Sequence, residues 1–163
     1  MCDIDKYKNG SFSGSNFQGK DLAGYDFSGS YLDQANFSGM NLEGANFENT
    51  VLVRADFTGS NLKNCRFYGA NMEMAVLKNA DMFNANIDNA NLNHADLRDA
   101  KLRSFDAIGT SLCNATLRGA DLKMGWMRRC NIEGADFTGA EQQGLIIEYT
   151  RYKVVHGLIS PVR

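Results

Sequence analysis

Every fifth residue from Phe12 to Phe137 is large and apolar, with Ala107 the one exception. The row opens Phe12, Phe17, Leu22, Phe27, Leu32, Phe37, Leu42, Phe47, Leu52, Phe57, Leu62, Phe67 and continues through Met, Leu and Ile. Two positions earlier runs a row of small residues, among them Ala35, Ala45, Ala55, Cys65, Ala75, Ala95, Ala115, Cys130 and Ala135. Asp or Asn lies between the two rows, and Gly or Asn follows two positions after the large residue.

A period of five matches neither the 3.6-residue helix nor the two-residue alternation of a simple strand. It suits a chain that runs extended for about three residues and then turns sharply. Residues two apart in an extended segment point the same way, so the small and large rows share one interior and the Asp/Asn between them faces out. Gly and Asn tolerate the positive φ of a sharp corner. Four sides close a square coil of about 20 residues, and coils stacked at ~4.8 Å pair backbone to backbone. Residues 11–140 then make about 6.5 coils, a rod ~31 Å long.

The repeat Ala-(Asp/Asn)-(Leu/Phe)-X-Gly resembles that of the pentapeptide-repeat family, whose motif reads A(D/N)LXX, from residue 10 to about 140. The resemblance implies an all-β fold, a right-handed quadrilateral parallel β-helix. The handedness follows from the resemblance and not from the period.

Phasing by 20 stacks Phe17, Phe37 and Phe57 on one side of the interior and Phe27, Phe47 and Phe67 on the opposite one. From Met72 onward Met, Leu and Ile replace Phe, which makes the C-terminal half of the core narrower or more pliable. At Phe105-Asp106-Ala107 the small and large residues have exchanged places, a volume-conserving swap that predicts an inward Phe105. A stacked coil exposes raw core at its ends and needs caps. Residues 1–10 are expected to form an N-terminal cap. Residues 141–163 read as a degenerate coil, a capping helix lined by Leu145, Ile146, Tyr149, Tyr152 and Val155, or a homodimer contact through residues 145–159.

The composition narrows the function. Net charge is −2, and no apolar run approaches the ~18 residues of a membrane span, so neither direct nucleic-acid binding nor a membrane span is expected. The opening MCDIDKYKNG lacks the apolar core of a signal peptide, and the four cysteines show no metal-ligand spacing, so a cytoplasmic location is expected. His94 and His156 lie far apart without ligand partners and read as surface residues. The Asp rows alternate with Asn, which cannot do acid–base work, so they read as turn-bonding groups. No catalytic residue, metal site or cofactor is expected.

Surface patterning is more informative. Residues 1–62 carry eight acidic and four basic side chains, whereas 97–130 carry three acidic and seven basic. Lys78, Arg98 and Arg118 stack as one ridge, and the next side adds Lys101, Arg103 and Lys123, with Trp126 an isolated contact candidate. This zone reads either as a surface for an anionic partner or as a solvated ridge balanced by Asp99 and Asp121. A second face has lost its corner glycines to Gln34, Arg54, Met74 and His94 and carries Tyr31, Val51 and Val53 outward. It reads either as a change of turn type or as a recognition face.

The expected function is a non-catalytic, rigid protein-binding scaffold whose partner the sequence does not identify. The resemblance adds a DNA-mimicking modulator of a type II topoisomerase, since some members of the family are rods that bind bacterial gyrase. The mild net charge and the basic zone depart from that pattern. A bacterial effector or spacer is the third reading.

Overall fold

A computed structural model describes residues 6–159. Residues 1–5 of the expected N-terminal cap, with Cys2, and residues 160–163 of the C-terminal segment lie outside the described residues.

The chain winds as a four-sided parallel β-helix. Parallel bridges join each side to the side 20 residues on, from Ser11↔Tyr31 through Asn71↔Asn91 to Asp136↔His156. Within each unit the large residue donates its N–H to the coil above, as Phe47 N does to Arg66 O at 2.7 Å. The corner closes on itself, as Ala35 N does on Leu32 O at 3.1 Å. One pentapeptide thus supplies both a ladder rung and a turn.

One side keeps strand pairing for a whole three-residue run in three successive coils: β1 (Asp106–Ile108), β2 (Trp126–Arg128) and β3 (Ile146–Glu148). They lie in parallel register, Trp126 between Asp106 and Ile146, and Arg128 between Ile108 and Glu148.

Both periodic rows are buried. Phe17, Leu22, Phe27, Leu32, Phe37, Leu42, Phe47, Leu52, Phe57, Leu62 and Phe67 are each at most 1% exposed. Phe12 at the end of the row is only partly buried against this core. The phenylalanines form two ladders: Phe17, Phe37 and Phe57 stack at 4.6 and 5.0 Å, and Phe27, Phe47 and Phe67 at 4.9 and 5.1 Å. The two ladders meet edge to face, the aromatic arrangement in which ring edges meet ring faces. Tyr7 continues the second ladder by stacking on Phe27.

Polar residues in the small row find partners inside. The Thr50, Thr110 and Ser60 hydroxyls donate to core-row carbonyls of Phe27, Ile87 and Phe57 at 3.0, 2.6 and 2.8 Å. Cys65 and Cys130 sit in the same row as free, buried thiols, and burial pushes them up to about 12 and about 11.

Phe105 is 2% exposed and Ala107 0%, so the exchanged pair does keep its volume inside. The following coil accommodates it with Gly125, where a Cβ would fall 2.1 Å from Phe105 Cε1.

Residues 141–150 keep the coil, with β3 among them, and Arg151 and His156 bridge back to Asn131 and Asp136. The apolar row from Leu145 to Val155 therefore lines no helix. Gln142, in a core position, holds the end of the chain: its amide donates to Gly157 O at 2.8 Å and accepts from Ile159 N at 2.9 Å. Among the described residues no helix is long and apolar enough to cross a membrane.

Candidate partner-binding faces

The outward Asp/Asn column is consumed by the turns. Its Oδ1 accepts the N–H two residues on, as in Asp56 with Thr58 at 2.9 Å, Asn86 with Asp88 at 3.0 Å and Asp136 with Thr138 at 2.9 Å. Asp or Asn serves equally as such an acceptor, which accounts for their interchange.

The basic zone is largely paired. Arg98 grips Asp96 through two nitrogens, at 2.8 and 2.6 Å. Arg103 reaches Asp121 at 2.9 Å, Arg118 reaches Asp136 at 3.8 Å, Lys101 lies 4.0 Å from Asp81, and Lys123 pairs with Glu141. Lys78 lies close enough to help lower Asp96, although the Arg98 side chain is the main cause of that shift. Five of the described pairs here and elsewhere, Lys123–Glu141 among them, obey one rule: a cation just after a core residue meets the carboxylate just before the core residue of the next coil. Lys8–Asp26 and Lys63–Asp81 follow it at 3.3 and 3.4 Å, as do Arg103–Asp121 and Arg118–Asp136.

On the face carrying Tyr31, Val51 and Val53, the corners Gln34, Arg54, Met74 and His94 are exposed, with φ of 57, 58, 58 and 59°. Every fifth residue from Asn9 to Tyr149 has φ between 51 and 77°. These four corners close with the ordinary bond too, Ala75 N to Met72 O at 3.0 Å and Ala95 N to Leu92 O at 3.1 Å among them. Their φ lies a little below the 64–77° of the glycine corners but in the same left-handed region, so four bulky residues occupy a corner that favours glycine. Tyr31 is 57% exposed and Val51 and Val53 are half-buried.

Two features escape a reading of the linear repeat. An open groove runs along the side holding Lys63, Phe83 and Arg103 in one column and Asp81, Lys101 and Asp121 in the other, with Phe83 42% exposed. On the adjoining side Trp126 is not isolated: Ile146 lies above it in register, and Met124, Ile108 and Tyr149 surround the pair, all exposed. Both groupings become legible only once residues 20 apart are aligned. Among the described residues no cluster of potential ligands could hold a metal ion.

The sequence pattern of the family described as pentapeptide repeats matches in eight copies, over residues 11–49, 30–67, 60–99 and 95–139. No curated protein matches the chain. Among solved structures, trypsin-treated QnrB1, a plasmid-mediated fluoroquinolone resistance protein, is similar at 20% identity, over 90% of this chain and 76% of its own, with a TM-score of 0.61. HetL from the cyanobacterium Nostoc sp. strain PCC 7120, a pentapeptide repeat protein involved in heterocyst differentiation regulation, is similar at 23% identity, over 87% of this chain and 84% of its own, with a TM-score of 0.55. At these identities the likeness concerns the fold, a right-handed quadrilateral β-helix.

Proposed function

The chain belongs to the pentapeptide-repeat family, and from that premise we propose that it is a non-catalytic, rigid scaffold that binds a protein partner through the face carrying Tyr31, Gln34, Val51, Val53, Arg54, Met74 and His94. The observation that carries this reading is the run of four left-handed corners held by Gln34, Arg54, Met74 and His94. A residue with a Cβ costs about 1–2 kcal/mol in that conformation, and glycine would remove most of it. The backbone turn does not require these side chains, since the corner closes with the same bond where glycine stands, as Ser60 N does on Phe57 O beyond Gly59. Local rules broken without benefit to the fold mark functional positions. The carboxylate columns are already engaged as turn acceptors and ion-pair partners, which supports a binding and not a catalytic role. The basic ridge of Lys78, Arg98 and Arg118 is a secondary contact surface in this reading. Buried free thiols fit a reducing, cytoplasmic setting.

The test is affinity capture from the native host's extract with the wild type and with Gln34→Gly/Arg54→Gly/Met74→Gly/His94→Gly. The variant is expected to fold with equal or higher stability and to lose the captured protein. Identical capture by both forms sinks the assignment of this face, and capture of nothing by the wild type leaves only the spacer reading.

The acidic bias of residues 1–62 favours one alternative, a DNA-mimicking modulator of a type II topoisomerase. Fluoroquinolone resistance, ascribed to QnrB1, would then extend to this chain. Gyrase supercoiling unchanged by micromolar protein removes it.

A further inference from the structure

The outer face of β1–β3 is a second place where the surface breaks the repeat rules. Trp126 and Ile146 stand in successive coils where Asp or Asn normally caps the turn. Met124, Arg129 and Tyr149 occupy left-handed corners on its two flanks, with φ of 58, 54 and 51°. Exposure of these side chains is high: Trp126 46%, Ile146 45%, Met124 68% and Tyr149 72%.

The two halves of the face differ in chemistry. Met124, Trp126 and Ile146 make one half apolar. The other half holds Arg128, whose guanidinium lies 5.8 Å from the Tyr149 ring centroid, and Arg129, one coil below Tyr149 in the same corner column. Arg128 forms a loose ion pair with Glu148 through its buried Nε, at 4.0 Å, which leaves that atom without a hydrogen-bond partner among the described residues. Arg129 is exposed and has no carboxylate within 4.0 Å among the described residues, in contrast to the paired arginines of the basic zone. An apolar shelf beside Arg129, which has no carboxylate partner among the described residues, and Arg128, held by Glu148 only at 4.0 Å and without a hydrogen bond at Nε, is complementary to a chain bearing aliphatic or aromatic side chains next to carboxylates.

We propose that this face docks an acidic, apolar segment of a partner protein, with its apolar side chains on Trp126 and Ile146 and its carboxylates on Arg128 and Arg129. The inference rests on the scaffold reading but names a different face, so its failure leaves the capture experiment on the Gln34–His94 corners standing. An apolar shelf with two cations is smaller than a standard protein interface, so affinity for a short segment is expected in the micromolar range, about 10–100 μM.

Trp126 is the sole tryptophan and reports directly on the face. The probe is a synthetic peptide alternating Leu and Glu around a central Phe, against its Lys-for-Glu counterpart and a short single-stranded oligonucleotide. The acidic peptide is expected to move Trp126 emission to shorter wavelength in a saturable way. Arg128→Ala/Arg129→Ala should weaken binding at least tenfold. Trp126→Asn/Ile146→Asn restores the repeat consensus; it should keep or raise the melting temperature and abolish binding, read by anisotropy of the labelled peptide. No saturable response up to millimolar peptide, equal response to both peptides, or tighter binding of the oligonucleotide would each overturn the proposal.

Discussion

Two glycines show how differently the same residue type can be required. Gly59 sits at a corner with φ +65° and open space around its Cα, so Gly59→Ala strains only the backbone, by about 1–2 kcal/mol. Gly125 has no such φ, but its Cα faces the Phe105 ring of the coil below. Gly125→Ala should cost about 1–3 kcal/mol by overpacking. Chemical denaturation of Gly125→Ala in a Phe105→Ala/Ala107→Phe background separates the causes. With the exchange reversed, the alanine should become neutral at 125, whereas Gly59→Ala should cost the same in either background. A further residue-scale test concerns acid. The Arg98 side chain holds Asp96 below its ordinary value of 3.8, against the opposing effect of burial. A depressed carboxylate stabilises the fold above its unfolded value and loses that contribution as pH falls through the folded one. Stability should therefore be level above about pH 5 and decline below about pH 4. Asp96→Asn should flatten part of that decline in urea midpoints measured from pH 6 to pH 3.

At the scale of the element, the corner is the instructive case. Side-chain type announces a turn at every fifth residue, but it does not reveal whether a non-glycine corner keeps the glycine geometry. The ladder decides: Gln34 N is bonded to Val53 O and Arg54 N to Glu73 O, so neighbouring coils impose the same backbone whichever residue stands there. The interior was legible from the period because inward pointing follows from spacing alone, and Phe105 was legible from its exchange with Ala107. The Trp126–Ile146 shelf and the Phe83 groove were not, because phasing by 20 aligns single columns but does not say which outward side chains of neighbouring columns stand exposed together. The same holds for the pairing of Arg103 with Asp121, which neutralises part of a zone that reads as basic along the chain. If the ladder imposes the corner, Met74→Gly relieves strain, offset by the greater entropy glycine loses on folding. A net gain of up to about 1 kcal/mol is expected in urea unfolding. A loss of stability would show that the Met74 side chain supports the fold and would remove the main support for the partner face.

Over the whole molecule, each coil touches only the coils above and below, so stability is a sum of coil terms and nearest-neighbour terms. The coils differ in filling. Stacked phenylalanines run from Phe17 to Phe67, Tyr7 extends one ladder, and beyond Met72 the interior is mostly aliphatic. At the far end Gln142 holds residues 157–159 through two hydrogen bonds, a thinner closure than the aromatic stack. Amide exchange should therefore be slowest at residues 27–67 and fastest toward 141–157, even though the ladder bonds are alike in length throughout. Phe57→Ala tests the one-dimensional character of the rod. The cavity should cost about 3–5 kcal/mol, since Phe57 stacks on Phe37 and meets Phe47 and Phe67 edge-on. With nearest-neighbour coupling, protection falls most between about residues 37 and 77, and coils beyond 120 exchange as in the wild type. A uniform fall along the chain would mean that the rod opens only as one unit, with faces at opposite ends energetically coupled.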